Sequence, residues 1–262
     1  MKEKEGKMFI DTHCHLYDKN FIGDIQKVID DAKAHNVQKL FCVAENVETS
    51  SLVVSIANTY ENVYAIIGIH PEYADEFTDE QIEKLKEIAS DKKVVAIGEI
   101  GLDYHYTKEN KEKQKYMFCK QIELANALNL PIVIHTRDAI GDTMEIFEKY
   151  QDKLKKGGIL HCFHESKEIL DKVTKMGFHV SYGGAITFKN ASNLREIVKS
   201  TPLDRILTET DCPNMSPEPY RGTVNEPKNI DLIAQKMSEI KGIDAQSLEK
   251  IIEQNTKDLF GV

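Results

Sequence analysis

Met8-Phe9-Ile10-Asp11-Thr12-His13-Cys14-His15 is a short β-rich run that ends in two histidines. An open doubly wound sheet would be expected to place a glycine-rich turn directly after its first strand. Here that position holds His-Cys-His. Seven more β-rich runs follow, at 39–44, 63–69, 94–100, 131–135, 158–162, 178–183 and 206–210. Between them lie amphipathic stretches such as Ile22, Ile25, Val28, Ile29 and Ala32, with apolar residues three and four apart. Strand and helix patterns that alternate along the whole length predict repeated βα units around a parallel sheet. Eight of them predict a (β/α)8 TIM barrel, an α/β fold, as one domain over 1–262. A proline-rich loop at 213–227 holds four of the seven prolines and is too irregular for a helix. Helices are expected at 227–241 and 245–260.

Composition agrees with a large folded core. The 262 residues are 41% hydrophobic and 29% charged, which excludes a disordered or fibrous chain. No apolar run approaches the roughly 18–20 residues of a membrane span, so no membrane contact is expected. Residues 1–7 alternate Lys and Glu without the apolar stretch of a secretory signal, and the expected location is the cytoplasm. Five cysteines, an odd number with no Cys-x-x-Cys pair, read as reduced thiols. The net charge of −9 argues against a broad, non-specific embrace of duplex nucleic acid, because that mode needs many cations to displace phosphate counterions. A compact site that grips one or two phosphates through metal ions is compatible with it. Nothing in the sequence demands more than a monomer.

Strand side chains alternate, so His13 and His15 project to one side and Cys14 to the other. The fourth run ends in Glu99, the fifth in His135, the sixth in His161 and the eighth leads into Asp211. In a TIM barrel all strand C-termini face one mouth. Four imidazoles and two carboxylates converging there form a mixed nitrogen and oxygen set able to hold one or two divalent cations.

The same residues lie in a series of motifs: Asp11-Thr12-His13-Cys14-His15, Gly68-Ile69-His70-Pro71, Gly98-Glu99-Ile100-Gly101-Leu102-Asp103-Tyr104, Pro131-Ile132-Val133-Ile134-His135-Thr136-Arg137, His161-Cys162-Phe163, Thr187-Phe188-Lys189, Glu209-Thr210-Asp211-Cys212-Pro213, and Arg221-Gly222 followed by Asn225-Glu226-Pro227. In this order, over nearly the whole chain, they resemble the TatD-type metal-dependent deoxyribonucleases of the amidohydrolase superfamily. The resemblance implies His13, His15, Glu99, His135, His161 and Asp211 as metal ligands, with Glu99 bridging when two ions bind. It also implies Asp211 as the general base. Two positions depart from the pattern. His164-Glu165 stand where such relatives usually carry Ser-Gly, and His105 stands where an aromatic residue is expected.

The expected chemistry is hydrolysis of a DNA phosphodiester, of the 3′–5′ exonuclease kind, by water that a divalent cation activates. Four imidazoles favour zinc, manganese or cobalt over magnesium, whereas relatives of this kind are usually described as supported by magnesium. The expected partner is DNA, as single strands or 3′ ends. Hydrolysis of a small-molecule amide, ester or lactone is the alternative, since one ligand set serves both reactions. His70 and Arg137 are expected to contact substrate phosphate, and Asp103, Tyr104, Glu209 and Arg221 to line the cleft. Arg137 could instead pair with Asp138 or Glu99. His35 and His179 are expected to be structural, and the charged run at 108–115 a solvated helix start.

Overall fold

Each β-rich run forms a strand, because β-branched and other large apolar side chains can be buried on both faces of a parallel sheet that helices cover. In the computed structural model, which describes residues 8–106 and 109–262, these are β1 (Phe9–Cys14), β2 (Val37–Val43), β3 (Val63–Ile67), β4 (Val94–Asp103), β5 (Ile132–Arg137), β6 (Gly158–Leu160), β7 (His179–Tyr182) and β8 (Ile206–Thr208). They pair in chain order, each neighbour parallel. The end of β1 also meets the segment after β8: Asp211 N–H donates to His13 O, and His15 N–H to Cys212 O, both at 2.9 Å. The sheet thereby closes into a TIM barrel, a single domain.

Nine helices are present among the described residues: α1 (Ile25–Ala34), α2 (Val47–Thr59), α3 (Asp79–Ile88), α4 (Lys111–Leu128), α5 (Ile140–Tyr150), α6 (Lys167–Lys175), α7 (Ser192–Ser200), α8 (Ile230–Lys241) and α9 (Ala245–Phe260). Local chemistry starts several of them. Asp24 accepts from the Lys27 N–H, Asn46 from the Thr49 N–H and Asp244 from the Ser247 N–H, each satisfying an orphan donor of a first turn. α9 is locked to the barrel by the Asn255 amide, which donates to the carbonyls of Leu203 and Ile206. No helix among the described residues is long and apolar enough to cross a membrane.

The strand limits differ from the expected ones in a way that shapes the site. β4 and β5 run on to Asp103 and Arg137, whereas β6 and β8 stop at Leu160 and Thr208. Cys162 (φ 48°) and Asp211 (φ 56°) take the left-handed conformation just past those stops, so extended pairing cannot continue. Ile22 also falls outside its expected helix, in a turn where it is 45% exposed. Of the charged run at 108–115, Lys108 lies outside the described residues, as do residues 1–7; Glu109 and Asn110 form a turn and residues 111–115 open α4.

His35 caps α1, its Nδ1 at 2.8 Å from Asp31 O. His179 opens β7, is buried, and has no hydrogen-bond partner at either ring nitrogen. Burial holds its pKa down from 6.5 to about 4. The unfolded chain therefore takes up a proton below pH about 6.5 that the folded chain refuses until about pH 4. Stability is whole above the first value and is lost as pH falls toward the second. His179→Leu is expected to flatten the fall in Tm between pH 6.5 and 4. Parallel Tm profiles for wild type and variant would refute this.

Candidate metal centre

Two strands are irregular where they carry the central residues. Three steps along β4, from Ile97 to Ile100, match two along β5, from Ile132 to Ile134; likewise Asp11 to Cys14 on β1 matches Leu40 to Cys42 on β2. Such bulges re-aim side chains, and here they bring Glu99 and His13 together. Gly101 (φ +142°) makes the approach of β4 to β5 possible, since a Cβ there would lie 2.0 Å from His135 O.

Glu99 is the hub. Its Oε1 lies 2.7 Å from His161 Nε2, 2.8 Å from His135 Nδ1 and 3.9 Å from His70 Nε2, and its Oε2 lies 3.3 Å from His13 Nε2. Asp211 Oδ1 lies 3.5 Å from His15 Nε2 and 3.8 Å from His13 Nε2. Three overlapping groups result, each with ligand atoms within 4.8 Å of one another: His13–Glu99–His161, His13–His15–Asp211 and His70–Glu99–His135. Such clusters can bind metal. A specific observation tests the fit: His13 is fully buried, yet neither of its ring nitrogens has a hydrogen-bond partner, and His161 Nδ1 has none either. Burying an imidazole without a partner is costly, and a cation at His13 Nε2 would relieve that cost.

The electrostatics of the protein alone point the same way. Burial by itself would raise the Glu99 carboxyl, but the imidazoles of His161 and His13 hold it well below the usual carboxylate range. Asp211 is likewise held down against burial, chiefly by His15. Burial, with His161 beside it, pushes His13 down to about 4. Against the effect of burial, Asp211 raises His15 to about 10, and Asp103 and Glu99 raise His135 to about 9. Without a metal the site thus pairs ionised carboxylates with the protonated rings of His15 and His135; a divalent cation would displace those protons and take the same carboxylates and imidazoles as donors.

A further layer of hydrogen bonds orients these rings. His15 Nδ1 lies 2.9 Å from Val43 O, which makes it the donor and turns Nε2 toward Asp211 as the atom a cation would take. His135 Nε2 lies 3.0 Å from Asp103 Oδ2, leaving Nδ1 for the hub. Partners of this kind set the tautomer of a ligating histidine. Asp103→Asn is therefore expected to weaken metal affinity by about 10–100-fold while the protein stays folded. Equilibrium metal titration checks it, and an unchanged affinity would remove Asp103 from this role.

Two further buried carboxylates, Asp11 and Glu209, hold the ligand-bearing segments in place. Asp11 accepts from Thr210 N (2.8 Å), Thr210 Oγ1 (2.5 Å) and His13 N (3.3 Å), tying the histidine segment of β1 to the segment after β8. Glu209, expected in the cleft, is fully buried beneath it. It accepts from Cys162 N (2.5 Å) and Ser181 Oγ (2.6 Å) and supports the left-handed residue that follows His161. Burial pushes both carboxyls up to about 7. The Asp-x-His and Glu-x-Asp spacings, which set an acid two residues before a ligand, were the available signal.

The expected cleft residues separate. His70 lies against the cluster, its ring centroid 4.5 Å from that of His135. Arg137 pairs with neither Asp138 nor Glu99; it covers the exposed Tyr106 ring at 5.0 Å, while Asp138 meets His105 Nδ1 at 2.9 Å. Arg221 sits at the rim over the Phe188 ring, 4.1 Å from its centroid. Tyr104 is not brought to the mouth. It is one residue past Asp103, so alternation turns it outward. There its hydroxyl donates to Asp142 of α5 (2.7 Å) and Lys111 of α4 covers its ring.

The chain resembles known proteins over nearly its whole length. The family model described as "TatD related DNase" matches residues 10–261. A Bacillus subtilis protein named as an uncharacterized metal-dependent hydrolase, YabD, is 42% identical over 255 residues, covering 97% of this chain and 100% of its own. An Escherichia coli protein with the same description, YcfH, is 36% identical and covers 97% of this chain and 96% of its own. The crystal structure of YjjV, a TatD homolog from Escherichia coli, superposes with a TM-score of 0.92 at 30% identity, covering 97% of this chain and 98% of that one.

Proposed function

The chain belongs to the TatD-related DNase family of metal-dependent hydrolases, and from that premise we propose that it is a deoxyribonuclease that hydrolyses phosphodiesters at single strands or 3′ ends. The observation that carries the reading is the placement of Glu99 among His13, His135 and His161, with Asp211 beside His15 on the adjoining side. His13, His15 and Asp211 would hold one cation and His135 and His161 a second, with Glu99 between them. Zinc, manganese and magnesium are the ions to be tested. When bound, such ions lower the pKa of water and stabilise charge on the attacking and leaving oxygens.

The chain's own residues supply the rest. Asp211 accepts the proton of the attacking water, and its contacts to His13 and His15 both use Oδ1. His70 Nδ1 accepts from the Glu72 N–H, so its proton sits on Nε2, on the side of Glu99, where it can donate to a phosphate or leaving oxygen. Burial keeps this ring neutral, its pKa pushed down to about 3. Arg137 and Arg221 provide forked donors for flanking phosphates at the rim. Gripping substrate at one such site suits a chain whose net charge is −9.

The test is elemental analysis of the purified protein together with digestion of end-labelled single-stranded DNA, before and after chelation. The expected result is bound divalent metal and a shortening ladder that chelation stops. Bound metal without cleavage of DNA under any divalent ion, alongside turnover of carboxylic esters or amides, would overturn the nuclease reading.

A further inference from the structure

At the mouth of the barrel lies a cleft of about 480 Å³ walled by the loops that leave β6, β7 and β8 and by the start of α7. His164 stands three residues past His161, and Met215 four past Asp211. At about 3.6 Å per residue at most, those walls lie within roughly 11–14 Å of the ligand-bearing backbone. Loops that follow strand C-termini lie at the mouth, so the cleft opens on the same face of the barrel as the metal centre. Its volume is that of a small-molecule pocket. Phe188 and Met215 give it an apolar lining, and Asn190 and Asn193 bring amides to it.

Phe188 is unusually well held. Arg195 donates to its carbonyl at 2.7 Å and to that of Ile186 at 3.3 Å. Thr187 Oγ1 accepts from the Glu218 N–H at 2.8 Å, tying this loop to the one that carries Arg221. Arg221 is exposed, covers the Phe188 ring, and forms no ion pair among the described residues. An aromatic ring on a well-held backbone, under an unpaired guanidinium and on the same face as the proposed metal centre, is a combination able to hold a base and its phosphate. Stacking on aromatic faces tolerates any base, and a guanidinium adds charge for the backbone.

We propose that this cleft receives the unpaired base of the nucleotide whose phosphate is at the metal centre, with Phe188 stacking on the base, Asn190 and Asn193 at its polar edge, and Arg221 on the adjoining phosphate. The inference rests on the phosphodiesterase reading above and deepens it by assigning a base subsite. A base in a duplex cannot enter, so single strands are preferred.

The experiment compares two single-stranded oligodeoxynucleotides of equal length on the metal-loaded enzyme, one ending in thymidine and the other in an abasic residue. Wild type is expected to favour the thymidine end by about tenfold or more in KM, the range for loss of one stacked base. Phe188→Ala and Phe188→Leu should erase that preference, and Phe188→Tyr should restore it. A preference that survives in Phe188→Ala and Phe188→Leu, or its absence in wild type, overturns the proposal. Thymidine 5′-monophosphate binding, followed by saturation-transfer NMR, gives a readout without turnover. Transfer to the base protons is expected in wild type and not in Phe188→Ala, and no transfer in wild type also overturns the proposal. Failure of the phosphodiesterase reading has a different signature, namely no chelator-sensitive cleavage of either strand.

Discussion

Asp211→Asn is expected to lower kcat by about 10²–10⁴-fold, the usual contribution of a positioned general base, with bound metal retained. Because Asp211 is also assigned as a ligand, the comparison is made at saturating metal with equal occupancy in both proteins. Asp211 sits at φ 56°, a conformation that Asn tolerates almost as readily, so its backbone bonds to His13 O and from Asn214 N–H need not move. An amide oxygen can still face His15 and His13, whose nitrogens lie 3.5 and 3.8 Å from Oδ1. What disappears is the ability to hold a proton between steps. Steady-state kinetics with elemental analysis of the same preparation check this. Turnover within a few-fold of wild type at equal metal content would assign the base elsewhere.

Glu99→Gln is expected to have the larger effect on metal. The carboxylate is the one group that touches three of the overlapping clusters' histidines within 3.3 Å, and a neutral amide removes the charge that the cations would share. Bound metal should fall below stoichiometric levels, and hydrolysis should be lost. Ligand linkage gives a second measure. A metal held at a thousand times its Kd stabilises the fold by about 4 kcal/mol, so added metal should raise the wild-type Tm and leave the variant's unchanged. Glu99→Asp, which keeps the charge but shortens its reach, should recover part of the rise if Glu99→Gln folds poorly. An equal metal-induced rise in wild type and Glu99→Gln would show that Glu99 is not the hub of the metal centre.

The barrel was legible because its signals are local. Alternating apolar runs and three- and four-residue helical spacings report on a few neighbours at a time, and all eight strands and both terminal helices lie where those patterns put them, with shifts of a few residues. The metal-competent residues were legible for a related reason. Once the strands are known to be parallel in one barrel, every strand's C-terminus faces one mouth, so His13, His15, Glu99, His135, His161 and Asp211 had to be neighbours. Asp11, Glu209 and Tyr104 were not legible in this way. Each is a polar residue next to a motif position, and local sequence does not say whether it turns to the mouth, beneath it, or into the helix layer.

By itself, then, the sequence determined which residue types stand at which strand ends and in what order the strands follow, since both depend on chain-local periodicity and sterics. Only the tertiary structure decided the rest. The bulges in β4 and β1 that aim Glu99 and His13 are matters of register with β5 and β2. The left-handed Cys162 and Asp211 are held by Glu209 and by the β1 backbone, partners 47 and 198 residues away. The cleft beside Phe188 exists only because three loops from different βα units meet. Register, long-range hydrogen bonding and shape are relations between distant segments, and no single segment encodes them.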